Sequence, residues 1–185
     1  MIGVLPTSLT VDSRTYEINS DYRVALLILQ AFNDPQLDDF AKCMVCLKCL
    51  YKEIPQNIDA AIERAVWFLD CGDGPKQEKS PKKLMDWEQD EQLIFPALNK
   101  VAGYEIRSVN YLHWWSFLGL FNEVGDGLYS QVMSIRAKKA KGKKLDRYER
   151  EFYITHRELI DLKPKLTAEE EQELKEELEF IDNLA

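Results

Sequence analysis

The chain has 185 residues, 45% of them hydrophobic and 30% charged, and a formal net charge of -8. That is enough for one domain with a real core, and the balance excludes wholesale disorder. The acidic field works against general attraction to nucleic acid or an anionic membrane. No stretch reaches the roughly 20 apolar residues of a bilayer span, and the opening MIGVLPTSLTVDSR lacks the basic-then-apolar order of a signal peptide, so a cytoplasmic protein is expected.

Residues 8–11 (SLTV) and 16–18 (YEI) flank the polar turn Asp12-Ser13-Arg14-Thr15 and predict a short N-terminal β-hairpin, the one sheet expected. Asn19 or Ser20 is placed to cap a helix over the apolar run from Tyr22 to Phe32. Asp34-Pro35 restarts the helical pattern, because Asp caps well and Pro at the first position gives up an N–H that lacks a partner anyway. The second helix is expected to run to about residue 52. A third over 57–70 places Ile58, Ile62, Ala65, Val66 and Leu69 at three- and four-residue spacings and ends at Cys71-Gly72.

Residues 72–83 (GDGPKQEKSPKK) combine Gly, Pro and charge with no apolar side chain, which predicts a mobile surface loop. DWEQDEQLIFPALNKVAGY reads as helix, with Pro96 expected to bend or interrupt it near Leu93. YLHWWSFLGLF (111–121) is apolar on nearly every side, as a helix at the centre of a core is. After Gly125-Asp126-Gly127, a helix over 128–138 is expected. A basic link then leads to a helix over 145–160 that Pro164 stops.

Thr167 and Glu170 fit a capping box opening a last helix, whose apolar stripe is Leu174, Leu178 and Ile181 among eight acidic residues and one lysine from 168 to 185. The expected fold is therefore mainly α: one helical domain over 1–162 with an N-terminal hairpin, and an acidic helix or tail over 163–185.

Cys43, Cys46 and Cys49 form C-x2-C-x2-C, a spacing found among iron–sulfur ligands, with Cys71 a possible fourth. The helical pattern continues through them and puts Cys49 about 240° around from Cys43, whereas cluster ligands come from loops that wrap the metal. Free thiols acting as small apolar groups are expected, with no metal and no cofactor. Of the two histidines, His113 reads as a hydrogen-bonded core residue and His156 as exposed; neither has the H-E-x-x-H spacing of a zinc hydrolase. The phosphate-cradling glycine motifs and the nucleophile elbow are missing too, so no enzyme is expected. From 136 to 150 there are eight Lys or Arg against two acidic residues, but Tyr148 is the lone aromatic there. That argues for a solvated link pairing with the acidic tail over a nucleic-acid platform. A metal or nucleic-acid binder is the alternative these features leave open.

At YLHWWSFLGLF followed by VMSIRAKKAKGKKLDRYEREFY, the chain resembles the bacteriophage family named after gene product fifteen, found in phages and prophages of Gram-positive hosts. The opening LPTSLTVDSRTYEINSDYR, the acidic-aromatic DWEQDEQLIFPAL, Trp114-Trp115 behind His113, and Ser134-Ile135-Arg136 carry the same likeness over most of residues 5–155. The family looks like the tail proteins encoded just ahead of the tape-measure protein in long-tailed phages. The resemblance therefore implies a tail-assembly chaperone without enzyme activity that binds the tape-measure protein or other tail proteins in the host cytoplasm and is absent from the mature virion. A structural component of the tail or connector is the alternative.

Covering a long amphipathic partner would take many copies, so a homo-oligomer is compatible with this reading. Candidate partner-binding residues are Trp114 and Trp115, which point about 100° apart on a helix, Arg136, and the stripe Leu174, Leu178 and Ile181.

Limited proteolysis should cut first between Gly72 and Lys83, as read by mass spectrometry of the earliest fragments. Early cleavage within 111–121 would contradict a central helix there.

Overall fold

The computed structural model describes residues 3–73 and 83–182, the last helix largely through its backbone. The expected surface loop over 72–83 thus lies, from 74 to 82, outside the described residues. Among the described residues the fold is mainly helical with a single two-stranded antiparallel hairpin, as the patterning predicts.

Strands β1 (Ser8–Val11) and β2 (Arg14–Glu17) pair from Ser8 with Glu17 to Val11 with Arg14. The turn takes only Asp12 and Ser13, both at positive φ (46° and 66°), the backbone of a tight hairpin turn that matches strand twist. Arg14 and Thr15, expected in the turn, are therefore strand residues. Leu9, Val11 and Tyr16 face the core.

Helix α1 (Tyr22–Phe32) starts as expected but is capped by Asp21, whose carboxylate accepts from the Arg23 N–H at 2.9 Å. The expected caps are used elsewhere: Asn19 Nδ2 donates to the Cys49 carbonyl at 2.8 Å and Ser20 Oγ meets the Tyr111 hydroxyl at 2.8 Å. Helix α2 (Asp39–Leu50) opens later than Asp34-Pro35 suggests, because Asp34 closes a separate turn by accepting from the Gln36 N–H, and Asp38 is the true cap. It also ends earlier than expected, at Leu50 and not at about residue 52, since Tyr51 is extended and bridges Ile18. Helix α3 (Ile58–Leu69) is capped by Asn57.

Helix α4 (Glu91–Ala102) runs as one element through Pro96. Pro96 lies on its exposed face, where the carbonyl left without an N–H can turn to water. The preceding DWEQD is a turn, with Asp86 accepting from the Glu88 and Gln89 N–H groups, so this helix starts at Glu91 and not at Asp86. After a short 3-10 turn at Ile106–Ser108, residues 111–113 are extended and α5 (Trp114–Asn122) begins three residues later than the apolar run predicts.

Helix α6 (Leu128–Ala140) is followed by α7 (Arg147–Thr155) and α8 (Arg157–Ile160), which His156 separates where one helix was expected. The predicted capping box opens α9 (Ala168–Asp182): Glu170 N–H donates to Thr167 Oγ1 at 3.2 Å and Thr167 N–H donates to the Glu170 carboxylate at 2.7 Å.

Two apolar clusters result. The larger gathers the hairpin and α1 to α5 around Ile28, Leu47, Phe68, Leu98, Trp114 and Phe117; the smaller packs Leu93 of α4 with Val132, Ile135 and Ile160. Arg136, 7% exposed, ties the smaller to the larger. Its guanidinium makes a two-point pair with buried Asp90 at 2.7 and 2.8 Å and donates to the carbonyls of Leu84 (2.9 Å), Leu159 (3.0 Å) and Ile160 (2.5 Å). All five of its N–H donors are used.

Removing one member of such a pair leaves a buried charge alone, at a cost of about 3–5 kcal/mol. Arg136→Ala should therefore lower the melting temperature by about 6–20 °C in a chain of this size, while Arg136→Met combined with Asp90→Leu recovers only the part due to the lone charge, since the carbonyls of Leu84, Leu159 and Ile160 still lack their donor. Calorimetry showing Arg136→Ala within a degree of the parent would contradict the role given to the pair.

Candidate functional site

The segment His113-Trp114-Trp115 is a staple for the fold. Trp114, 1% exposed, donates its indole N–H to the Leu69 carbonyl at 2.9 Å, and half-buried Trp115 donates its own to the Phe68 carbonyl at 2.8 Å. Both acceptors lie in the last turn of α3, where carbonyls have no partner within the helix. Buried His113 caps α5: Nδ1 accepts from the Trp115 N–H at 3.0 Å, so Nε2 carries the proton and donates to the Pro6 carbonyl at 2.9 Å. This is the hydrogen-bonded core histidine that the sequence suggests, and His156 is exposed.

The start of α1 is bound to the same place. Asp21 accepts from the Leu112 N–H at 3.1 Å, Tyr22 N–H donates to the Leu112 carbonyl, and Trp114 N–H donates to the Ser20 carbonyl.

Of the six residues expected to face a partner, the four with described side chains, Trp114, Trp115, Arg136 and Leu174, do not share one exposed surface. Trp114 and Arg136 are committed inside the protein, because each satisfies carbonyls that would otherwise be buried without donors. Trp115 edges against Trp67, with ring centroids 5.5 Å apart. Leu174 is 44% exposed on α9, while the side chains of Leu178 and Ile181 lie outside the described residues. Among the described residues the basic link makes ion pairs with α7 and Asp161, through Lys138–Glu149 at 2.5 Å, Lys139–Asp161 and Arg147–Glu151 at 3.2 Å.

The cysteines Cys43, Cys46 and Cys49 share α2 as free thiols. Burial, with the neighbouring Cys43 and Cys49 adding to it, pushes the Cys46 thiol up to about 12, and burial pushes Cys71 up to about 11. Such thiols resist the deprotonation that metal binding demands. Among the described residues no group of three or more His, Cys, Asp or Glu is placed to hold a metal ion. No helix among them is long and apolar enough to cross a membrane.

What sequence reasoning missed is a groove of about 460 Å³ between α4 and the loop that enters α6. Leu93, Pro96, Ala97 and Val101 form one wall, and Val124, Leu128 and Tyr129 the other; Lys100 Nζ donates to the Asp126 carbonyl at 3.1 Å across it. Val101 and Leu128 are exposed. Burial holds the Tyr129 hydroxyl up at about 12 at the base, where it meets Met85 Sδ at 3.2 Å. The available signal was two apolar residues, Val124 and Leu128, bracketing a Gly-Asp-Gly turn. A second hollow of about 710 Å³, between the α1–α2 corner and residues 164–166, has Asp34, Glu88 and Lys165 on its rim and is the more polar of the two.

Gly72 closes the α3 end of the staple. Its φ is +87°, and an added Cβ would sit 3.3 Å from both the Trp67 and Trp115 rings. Gly72→Ala should cost about 1–3 kcal/mol in urea unfolding followed by tryptophan fluorescence. Gly119→Ala in α5 meets nothing within 4 Å and should be neutral or gain up to about 1 kcal/mol. Equal stability of the two variants would contradict the close approach at Gly72.

The family described as bacteriophage Gp15 protein matches the chain over residues 1–162. No curated protein and no solved structure matches it. The matched span holds the hairpin, the staple, both apolar clusters and the Arg136–Asp90 pair, and the chain belongs to the bacteriophage Gp15 family.

Proposed function

We propose that this phage protein serves tail assembly as a non-catalytic chaperone. It holds an amphipathic segment of the tape-measure protein or another tail protein in the host cytoplasm, and it leaves before the virion is complete. The observation that carries this reading is the apolar groove between α4 and the start of α6, which lies within the family-matched span. Helix-in-groove recognition needs an open apolar trough that receives side chains spaced three or four residues apart.

The energetics suit temporary cover. Two buried anchors of Leu or Phe type supply about 3–6 kcal/mol gross, most of which is offset by the cost of association. One site therefore binds weakly and releases when tail subunits compete, and many copies are needed to cover a long partner. The net charge of -8 favours a basic partner and keeps the complex soluble.

Co-expression with the tape-measure protein tests this directly. The parent chain should recover it, and Val101→Asp with Leu128→Asp, both on the exposed rim, should reduce recovery at least about tenfold with an unchanged circular dichroism melt. Mass spectrometry of purified virions should then find no stoichiometric copy of the chain. A stoichiometric copy would replace the chaperone with a structural tail component, and full recovery by the double variant would remove the groove from the mechanism.

A further inference from the structure

The acidic helix α9 carries Leu174 at 44% exposure among exposed carboxylates. Residues 163–166 are held: Lys163 N–H and carbonyl bond the Gln89 side chain at 2.8 and 3.0 Å, and Lys165 pairs with Glu88 at 2.8 Å. This strap brings the chain to the α1–α2 corner, where Leu166 lies near Leu27 and Ala31. From there α9 projects with its described side chains exposed. An isolated helix of 15 residues is marginal in water, so this one gains by finding a surface.

The opposite kind of surface sits at the turn between α6 and α7. Gly142, at φ +64°, sets a tight helix stop in which Lys143 N–H donates to the Lys138 carbonyl at 2.8 Å. The turn presents Lys141, Lys143 and Lys144 to solvent. Two large apolar side chains stand out on the adjoining α7, Tyr148 at 82% and Ile154 at 69% exposure. Lysines leading into a helix whose first turn exposes Tyr148 are the complement of carboxylates beside Leu174.

We infer that α9 of one copy docks on the α6–α7 turn of a second copy, with its carboxylates on the lysines and Leu174 on Tyr148 in the first turn of α7. The two surfaces differ, so each copy offers one of each and the contact propagates into a ring or open chain instead of closing as a two-fold dimer. A helix about 22 Å long buries less than the roughly 1,200 Å² of a stable interface. The contact is accordingly weak and strongly weakened by salt. It is independent of which tail protein the groove takes.

Sedimentation velocity of the full chain up to about 300 μM tests this at about 50 and 500 mM salt. The weight-average mass should rise beyond a dimer at low salt and fall toward the monomer at high salt. A chain lacking residues 168–185 and the variant Lys141→Glu/Lys143→Glu/Lys144→Glu should each remain monomeric. Mixed at equal concentration, they should form one heterodimer and nothing larger, since each keeps only one of the two surfaces. The truncated chain keeps the whole basic turn, so it tests the tail even if the triple variant fails to fold. A full chain monomeric at low salt, undiminished association of the truncated chain, salt-independent association, or a monomer that instead retains a labelled oligonucleotide on the basic turn would each overturn the inference.

Discussion

The Arg136–Asp90 pair is the constraint on which the carboxyl-terminal half depends. Helices α6, α7 and α8 enclose only a small apolar cluster, too little to hold three helices on its own against the conformational entropy of ordering them. The guanidinium meets that shortfall by joining α6 to the turn before α4 and to the end of α8, through Asp90 and the carbonyls of Leu84, Leu159 and Ile160. A buried ion pair need not add net stability over apolar side chains. Its value here is directional, because five donors in a rigid planar fork accept only one mutual arrangement of the three segments.

The same logic operates at the other end of the molecule. The starts of α1 and α5 and the end of α3 meet at His113-Trp114-Trp115 and Asp21, and donors or acceptors left over at the three helix ends are answered there by one another or by an indole or imidazole. Large aromatic bodies supply apolar burial while their polar edges satisfy carbonyls. Stacking extends the cluster inward, with Tyr22 and Phe117 at 4.6 Å between ring centroids.

Much of this was legible from residues 1–185, and the failures share a cause. Periodicity gives the existence of α1, α3, α4 and α6, and the Thr167–Glu170 box marks the start of α9. Boundaries slip where a polar residue could cap either a helix or a turn: Asp34 and Asp86 serve turns, while Asp21, Asp38 and Asp90 take the helix starts. One-dimensional spacing is blind to that choice because it depends on where the next element packs. The partner-facing assignments of Trp114 and Arg136 rest on residue type, and type alone does not reveal that the matching carbonyls lie 45 residues away at Leu69 or 24 away at Ile160. The groove between α4 and α6 was hidden for the same reason, since its walls come from segments separated in the chain.

These constraints divide the surface by what it is free to do. Polar groups at the staple and the ion pair are saturated, so those regions have little to gain from a partner. The groove and α9 differ: apolar side chains there meet water, and burying them is favourable wherever a complementary surface arrives. The groove is carried on α4, which both apolar clusters share through Leu93 and Leu98, so its shape is rigid and binding there loses little conformational entropy. Helix α9 follows a strap held by Gln89 and Glu88 and has Leu174 exposed. A rigid site suits recognition of one kind of segment and an exposed acidic helix suits weak, charge-dependent contacts; the chaperone role proposed above would use both.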